Sequence, residues 1–427
     1  MPQKRILVIG KAPPVQGGVS INTYEVALEL VTAGYQVDLL SNRQEVAAGY
    51  RQVGVNDQGR AGLNFIDIEP LTGFFHVPYS PLFFERLAGK SLVLLQDRDY
   101  SLIVGWYLFP YGAVASYIST VSGIPYVLLH AGSDINRLAN HSSLKHMVAR
   151  DLQNASAIIA PNNSAVTERL MSFGTNHENI KHYGGGAQFL KHHAVPGRTL
   201  DQLVISLRSL VSEEAPWFNW DLINSPAALD LSIDKQVVCL YGKASQSKRI
   251  KEVIEEVDKV SSEVNFSVIM ILAGELEELK GIYTLTRTLR SAATRIFFLP
   301  PLSVALLHEV LDVCDVGICI EESFQVDSHL SRRPREMMCF SVIPIVSKDF
   351  LSLPYYRDTL INNENCLVID SVSCLSNTLY LLLTDHQLLS HLRRGVVLTS
   401  QYVESKMAEC NPIAVAIGQC AESVGNE

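Results

Sequence analysis

Short apolar runs, each followed by a polar or glycine-bearing loop and then a helix-like stretch, recur along almost the whole chain. RILVIG (5–10), YSLIVGWY (100–107), IPYVLL (124–129) and SAIIAP (156–161) mark the first half. QVVCLYG (236–242), FSVIMILAG (266–274), RIFFLP (295–300), DVGICI (315–320) and VIPIVS (342–347) mark the second. Runs this uniformly apolar belong to strands covered on both faces, and strands that alternate with helices form parallel sheets. The pattern predicts an α/β chain of doubly wound units, whose ligands bind beyond the carboxyl ends of the strands.

The chain has 427 residues, too many for a single core. Its 47% hydrophobic and 19% charged content describes a compact soluble protein, and the net charge of −9 argues against general nucleic-acid binding. Eight cysteines are scattered without paired spacing or histidine neighbours, so reduced buried thiols are expected and a metal centre is not. No apolar run approaches the roughly 18 residues of a membrane span, and KRILVIG is too short for a secretory signal. A cytoplasmic protein is expected, with peripheral contact at the inner membrane face left open.

The segment after DVGICI carries the most chemistry. A polar loop with Arg332, Arg333 and Arg335 leads into a short apolar helix that opens on Glu336, and VIPIVS follows. Arginines and a helix N-terminus at a sheet edge favour an anion. A carboxylate beside them suits two adjacent sugar hydroxyls, which predicts a phosphorylated sugar with Glu336 on the ribose of a nucleotide. Earlier, QVVCLYGKASQSKRI places Lys243 at a strand end and Lys248 before a helix. Two cations around one loop either converge on a diphosphate or are solvated surface charges.

In the first half, the loop KAPPVQGGVS carries Gly17 and Gly18 side by side, which is not the spacing of a dinucleotide fingerprint. Adjacent glycines either let a backbone approach a ligand or make a plain turn. His130 ends IPYVLLH at the edge where parallel sheets hold ligands, and Asp134 follows in the next loop. A histidine there serves either the fold or a ligand. Gly184, Gly185 and Gly186 suit a hinge, and Trp217 and Trp220 suit packing in a connector or a sugar platform.

These segments together resemble the family-4 glycosyltransferases. The family's C-terminal signature is Glu, seven residues, Glu, an apolar helix, Gly, and a strand containing Pro. Glu336 matches the second Glu and VIPIVS the strand, while Ser328 stands at the first Glu and Ser341 at the Gly. Asp327 lies one place from that first position. Lys243 and Lys248 resemble the family's Gly-Arg, loop, Lys-Gly unit, with Arg249 where it has Gly. The run Leu102–Ile135 is similar to its strand–helix–strand–His-Gly-Ser-Asp segment, with Ala131 following His130.

The resemblance implies the GT-B fold, two doubly wound Rossmann-like domains facing each other across a cleft. It places the acceptor-side domain at 1–195, a connector at 196–235, the donor-side domain at 236–400, and a helical segment at 401–427 that packs back on the first domain. It implies a retaining transfer from a UDP- or GDP-linked sugar to a glycan, lipid-linked or small-molecule acceptor, with no metal or other cofactor. His130, Lys243, Lys248 and Glu336 would serve catalysis. Gly17, Gly18, Ser328, Arg332 and Arg335 would hold the donor, Asp134 would order its loop or touch the acceptor, and Leu299–Leu302 would cradle the base. Ser328 motivates an alternative, a sugar-nucleotide-binding subunit without catalysis. A GT-B-type epimerase fits the fold but matches the motifs less well.

Overall fold

The computed structural model describes residues 3–44, 46–55, 61–68, 81–130, 132–136, 138–183, 197–218, 236–289, 296–324, 331–406 and 411–423. The chain divides into two compact units. Unit 1 comprises Met1–Val46, Asn56–Phe189 and Met407–Glu427, and unit 2 comprises Ala47–Val55 and Leu190–Lys406. The glycines 184–186, Trp220, Asp327 and Ser328 lie outside the described residues, as does Ala131.

Unit 1 is built on seven parallel strands: β1 (Arg5–Ile9), β2 (Gln36–Ser41), β3 (Leu63–Asp67), β4 (Leu102–Trp106), β5 (Tyr126–Leu129), β6 (Ala157–Pro161) and β7 (Ile180–Tyr183). Their order is β3-β2-β1-β4-β5-β6-β7. Alternate residues of these strands feed two cores, one on each face. Leu7, Ile9 and Ile103 pack against the helices Pro81–Asp97 and Ala113–Ser122, while Ile6, Val8 and Val104 face Gly18–Thr32 and Pro412–Ser423. The last helix belongs to unit 1 because Ile413, Ala414 and Ile417 complete the second core.

Unit 2 has six parallel strands: β8 (Gln236–Lys243), β9 (Phe266–Ala273), β10 (Ile296–Leu299), β11 (Val316–Cys319), β12 (Ile343–Ser347) and β13 (Leu367–Ile369). Their order is β10-β9-β8-β11-β12-β13. The two doubly wound α/β units expected from the alternating pattern are both present. In each, the chain winds outward in one direction from the first strand and then returns to its other side. The reversal lies between β1 and β4 in unit 1 and between β8 and β11 in unit 2. Loops diverge at such points and leave a crevice at the carboxyl edge.

Unit 2 also holds a nine-residue strap, Ala47–Val55, from the first half of the sequence. The strap is pinned by main-chain hydrogen bonds. The Gly274 N–H donates to the Gly49 carbonyl at 3.0 Å, the Val53 N–H to Pro301 at 2.8 Å, and the Ser303 N–H to Val53 at 2.8 Å. The Gly54 N–H donates to Glu214 Oε2 at 2.7 Å. Val53 itself is 2% exposed and joins the unit-2 core. Gly49 permits this approach, since a Cβ there would lie 2.0 Å from the Gly274 carbonyl oxygen.

Candidate functional site

The unit-2 crevice opens where β8 ends on Lys243 and β11 runs into Ile320 and Glu321. The short 3-10 turn Gln246–Lys248 then brings Lys248 back over the strand end. A Cβ placed on Gly242 would lie 3.5 Å from Arg333 Cδ and 3.7 Å from Lys248 Cε, so these two side chains flank one point beside Lys243. Glu321 joins them: its Oε2 accepts from Arg333 Nη2 at 2.6 Å and its Oε1 lies 3.7 Å from Lys248 Nζ. Arg333 Nη1, also buried, has no hydrogen-bond partner among the described residues.

Burial pushes the Lys243 ammonium down to about 8. Lys248 is pushed to about 8 by burial first, then by the charges of Arg333 and Lys243, against the opposing pull of Glu321. Burial disfavours the charged form of both ammonium groups, and an anion arriving between them would favour it again.

The three expected arginines divide by helix phase. Arg332 Nε donates to Glu336 Oε1 at 2.8 Å, four residues on, with both side chains buried. The Tyr241 hydroxyl lies 3.0 Å from Glu336 Oε2 and 3.2 Å from the Arg333 carbonyl. Burial works against ionising Glu336, but the charges of Arg332 and His308 and these hydrogen bonds hold its carboxyl below the usual range. Glu336 is 3% exposed, and each oxygen already faces an internal donor. In this structure it is the counter-charge of Arg332. Arg332 is correspondingly engaged by the fold. Arg335, 2% exposed, lies with its guanidinium 5.1 Å from the Tyr355 ring centroid. The arginine that joins the lysines is Arg333, which the sequence reading did not select. The Arg332–Glu336 spacing of four residues was the available signal, because it pairs those two along one helix face.

Two departures from the family pattern fall at left-handed backbone positions. Arg249 has φ 49° and Ser341 has φ 59°. Ser341 closes the helix Arg333–Cys339: its N–H donates to Met338 O and the Val342 N–H to Met337 O, the paired bonds of a Schellman cap. The conformation that glycine adopts freely is thus held by other residues. Near β10, the Pro301 carbonyl and the Ser303 N–H, which flank Leu302, are both engaged by Val53.

In unit 1, Gly17 (φ 130°) caps the helix that starts at Gly18, and among the described residues, chain neighbours aside, nothing lies within 4 Å of where its Cβ would be. Its carbonyl accepts from the Ile21 N–H at 3.2 Å, so any room for a ligand is on the Cβ side. Lys11, past the end of β1, places Nζ 5.4 Å from the Tyr107 ring at the end of β4. His130 follows β5, and its Nδ1 accepts from the Gly132 N–H at 3.2 Å. That bond puts the ring proton on Nε2, which is buried and has no hydrogen-bond partner among the described residues. Burial lowers the His130 pKa despite Asp134 nearby, so the ring is a neutral donor. Asp134 is fully buried: Oδ2 accepts from the Leu108 N–H and Oδ1 from the Ile135 N–H, both at 2.9 Å. It orders the loop after β5. Among the described residues, no three of His, Cys, Asp or Glu gather as metal ligands, and no helix is long and apolar enough to cross a membrane.

No protein-family profile matches the chain, and no curated protein matches it by sequence. Solved structures do match. Sucrose-phosphate synthase from Thermosynechococcus elongatus superposes with a TM-score of 0.58 at 15% identity, covering 99% of this chain and 100% of that one. Anabaena HepE in complex with UDP and glucose gives 0.60 at 13%, covering 100% of both chains. The catalytic domain of starch synthase IV from Arabidopsis thaliana, bound to ADP and acarbose, gives 0.60 at 11%, again covering 100% of both. The likeness spans both sheets of this chain and the whole of each neighbour, so the protein has the GT-B fold of the glycosyltransferases.

Proposed function

We propose that the protein is a glycosyltransferase that moves a sugar from a nucleoside-diphosphate donor to an acceptor hydroxyl. The observation that carries this reading is the convergence of Lys243, Lys248 and Arg333 at the unit-2 switch point. Structural neighbours crystallised with UDP and glucose or with ADP and acarbose support a nucleotide ligand.

Breaking an anomeric C–O bond leaves its electron pair, and hence negative charge, on the diphosphate. Preorganised cations at that position stabilise the charge as it develops, and removing one such donor typically costs about 3 kcal/mol, roughly two decades in rate. Lys243, Lys248 and Arg333 take that part, so the proposed transfer needs no metal. Glu321 holds Arg333 and Lys248 in register before the ligand arrives. We assign to His130 a hydrogen bond from Nε2–H to the donor sugar, and to the Cβ side of Gly17 the approach of the donor or acceptor. Retention of anomeric configuration, with a donor phosphate oxygen accepting the proton of the acceptor, is proposed on the family resemblance.

Calorimetry with UDP, GDP and ADP tests the reading. Wild type binds one of them, and Lys248→Ala weakens it about 30-fold or more. Equal affinity in the variant sinks the assignment. Ser328, at the position of the family's first Glu, favours a second reading as a binding subunit. Slow release of free sugar from a bound donor identifies an enzyme, whereas binding without release identifies the subunit.

A further inference from the structure

Tyr50 lies in the strap Ala47–Val55, far in sequence from every charged residue of the unit-2 crevice. Its ring centroid is 5.7 Å from Lys243 Nζ, within the range of a cation–π contact. The ring has little freedom to move. The glycine before it packs so tightly on Gly274 that no side chain fits, and the strap is pinned on both sides of Tyr50 through Gly49 and Val53. The Tyr50 hydroxyl bonds to Glu275, at the start of the helix that follows β9. Glu278, one turn further on, adds its charge to this side. Lys248 is near enough to feel the charge of Lys243, and Arg333 and Glu321 stand beside Lys248.

We propose that Tyr50 is a positioning residue for the anion site: the strap holds its ring against Lys243 and so aims that ammonium at a diphosphate between Lys243, Lys248 and Arg333. The proposal rests on unit 2 being the diphosphate-binding unit. A lysine has a flexible four-carbon stem, and like charges nearby drive it outward. An aromatic face opposes that motion, and it does so without neutralising the charge that the ligand needs. The strap therefore supplies the third side of a site whose other sides come from the β8 loop and the helix after β11.

A double-mutant cycle between Tyr50 and Lys243 tests this, reading affinity for UDP and for inorganic pyrophosphate by calorimetry. Tyr50→Leu is expected to weaken both ligands about tenfold, and Tyr50→Phe, which keeps the aromatic face, by less than about twofold. In a Lys243→Ala background, Tyr50→Leu is expected to have no further effect, because its action runs through the ammonium. Losses that add in the double variant overturn the proposal, as does a Tyr50→Phe loss equal to that of Tyr50→Leu. If the leucine variant does not fold, Tyr50→Met fills the same volume and serves the same arm. Wild type binding neither ligand overturns the functional reading and this inference together. Wild type binding with additive losses overturns this inference alone.

Discussion

The two switch points share one topology and differ in chemistry. In unit 1, the crevice between β1 and β4 is bordered by the Cβ side of Gly17 and by Lys11 over Tyr107, with the neutral His130 ring past the neighbouring β5. In unit 2, the crevice between β8 and β11 is bordered by Lys243, Lys248, Arg333 and Glu321. Doubly wound sheets therefore set where a ligand goes, and the side chains at the strand ends set which ligand it is. On the proposed function, the cationic cluster of unit 2 would hold the diphosphate, and the His130 ring of unit 1 would offer a hydrogen bond to the sugar.

The sharpest way to break this comparison is a pair of substitutions, one per unit. Arg333→Met removes a buried cation whose Nη1 has no hydrogen-bond partner among the described residues, and is expected to weaken UDP binding about 30- to 100-fold by calorimetry. His130→Ala is expected to leave that affinity within about threefold while slowing sugar release from the donor about a hundredfold. Similar affinity losses from both would mean that the units do not divide the work.

Proton linkage gives a smaller effect, confined to unit 2. With Lys243 and Lys248 at about 8 in the free protein, a bound diphosphate draws both upward. Binding at pH 8 to 9 is then expected to take up protons, seen as a heat that varies with buffer, and affinity is expected to fall as pH rises above about 8. The same lysines titrate near 10.4 in the unfolded chain. They oppose folding fully below pH 8, and that opposition fades between about 8 and 10.5, where the unfolded state binds more protons. Free protein should gain stability from them across that window, and the gain should vanish in Lys243→Met/Lys248→Met. Affinity independent of pH from 7 to 9.5 would contradict this account.

The smallest effect concerns the backbone. Ser341 sits at φ 59° in a Schellman cap, so Ser341→Gly is expected to stabilise unit 2 by about 0.5–1 kcal/mol. Thermal unfolding should show the transition of unit 2 rising by a few degrees and that of unit 1 unchanged. A fall instead would mean that the serine side chain contributes more than its backbone conformation costs.

The placement of the two lysines was legible because it is local. Lys243 ends an apolar strand and Lys248 precedes an amphipathic helix, so their placement at a sheet edge follows from the run of residues alone. The arginines were not separable in this way. Arg332, Arg333 and Arg335 fall within four positions, and their roles depend on where the helix begins and which face it buries. Glu336 was read as a ligand contact because a carboxylate beside arginines suits sugar hydroxyls and because it matches the family's second Glu; the structure adds partners for it in Arg332 and, from β8, Tyr241. Asp38 makes a similar point in unit 1. Its carboxylate is fully buried in β2, where Arg5, Arg98, Asn64 and Tyr100 reach it from elsewhere in the chain.

By itself, the order of residues determined two wound sheets, most of their strands and the cationic loop after β8, because apolar periodicity and turn chemistry act over a few positions. Only the tertiary structure decided that Arg333 is the arginine beside the lysines, that Glu336 is enclosed, and that Tyr50 stands against Lys243. Those outcomes depend on contacts between distant segments, where close packing at Gly49 and the pairing of buried charges select one arrangement.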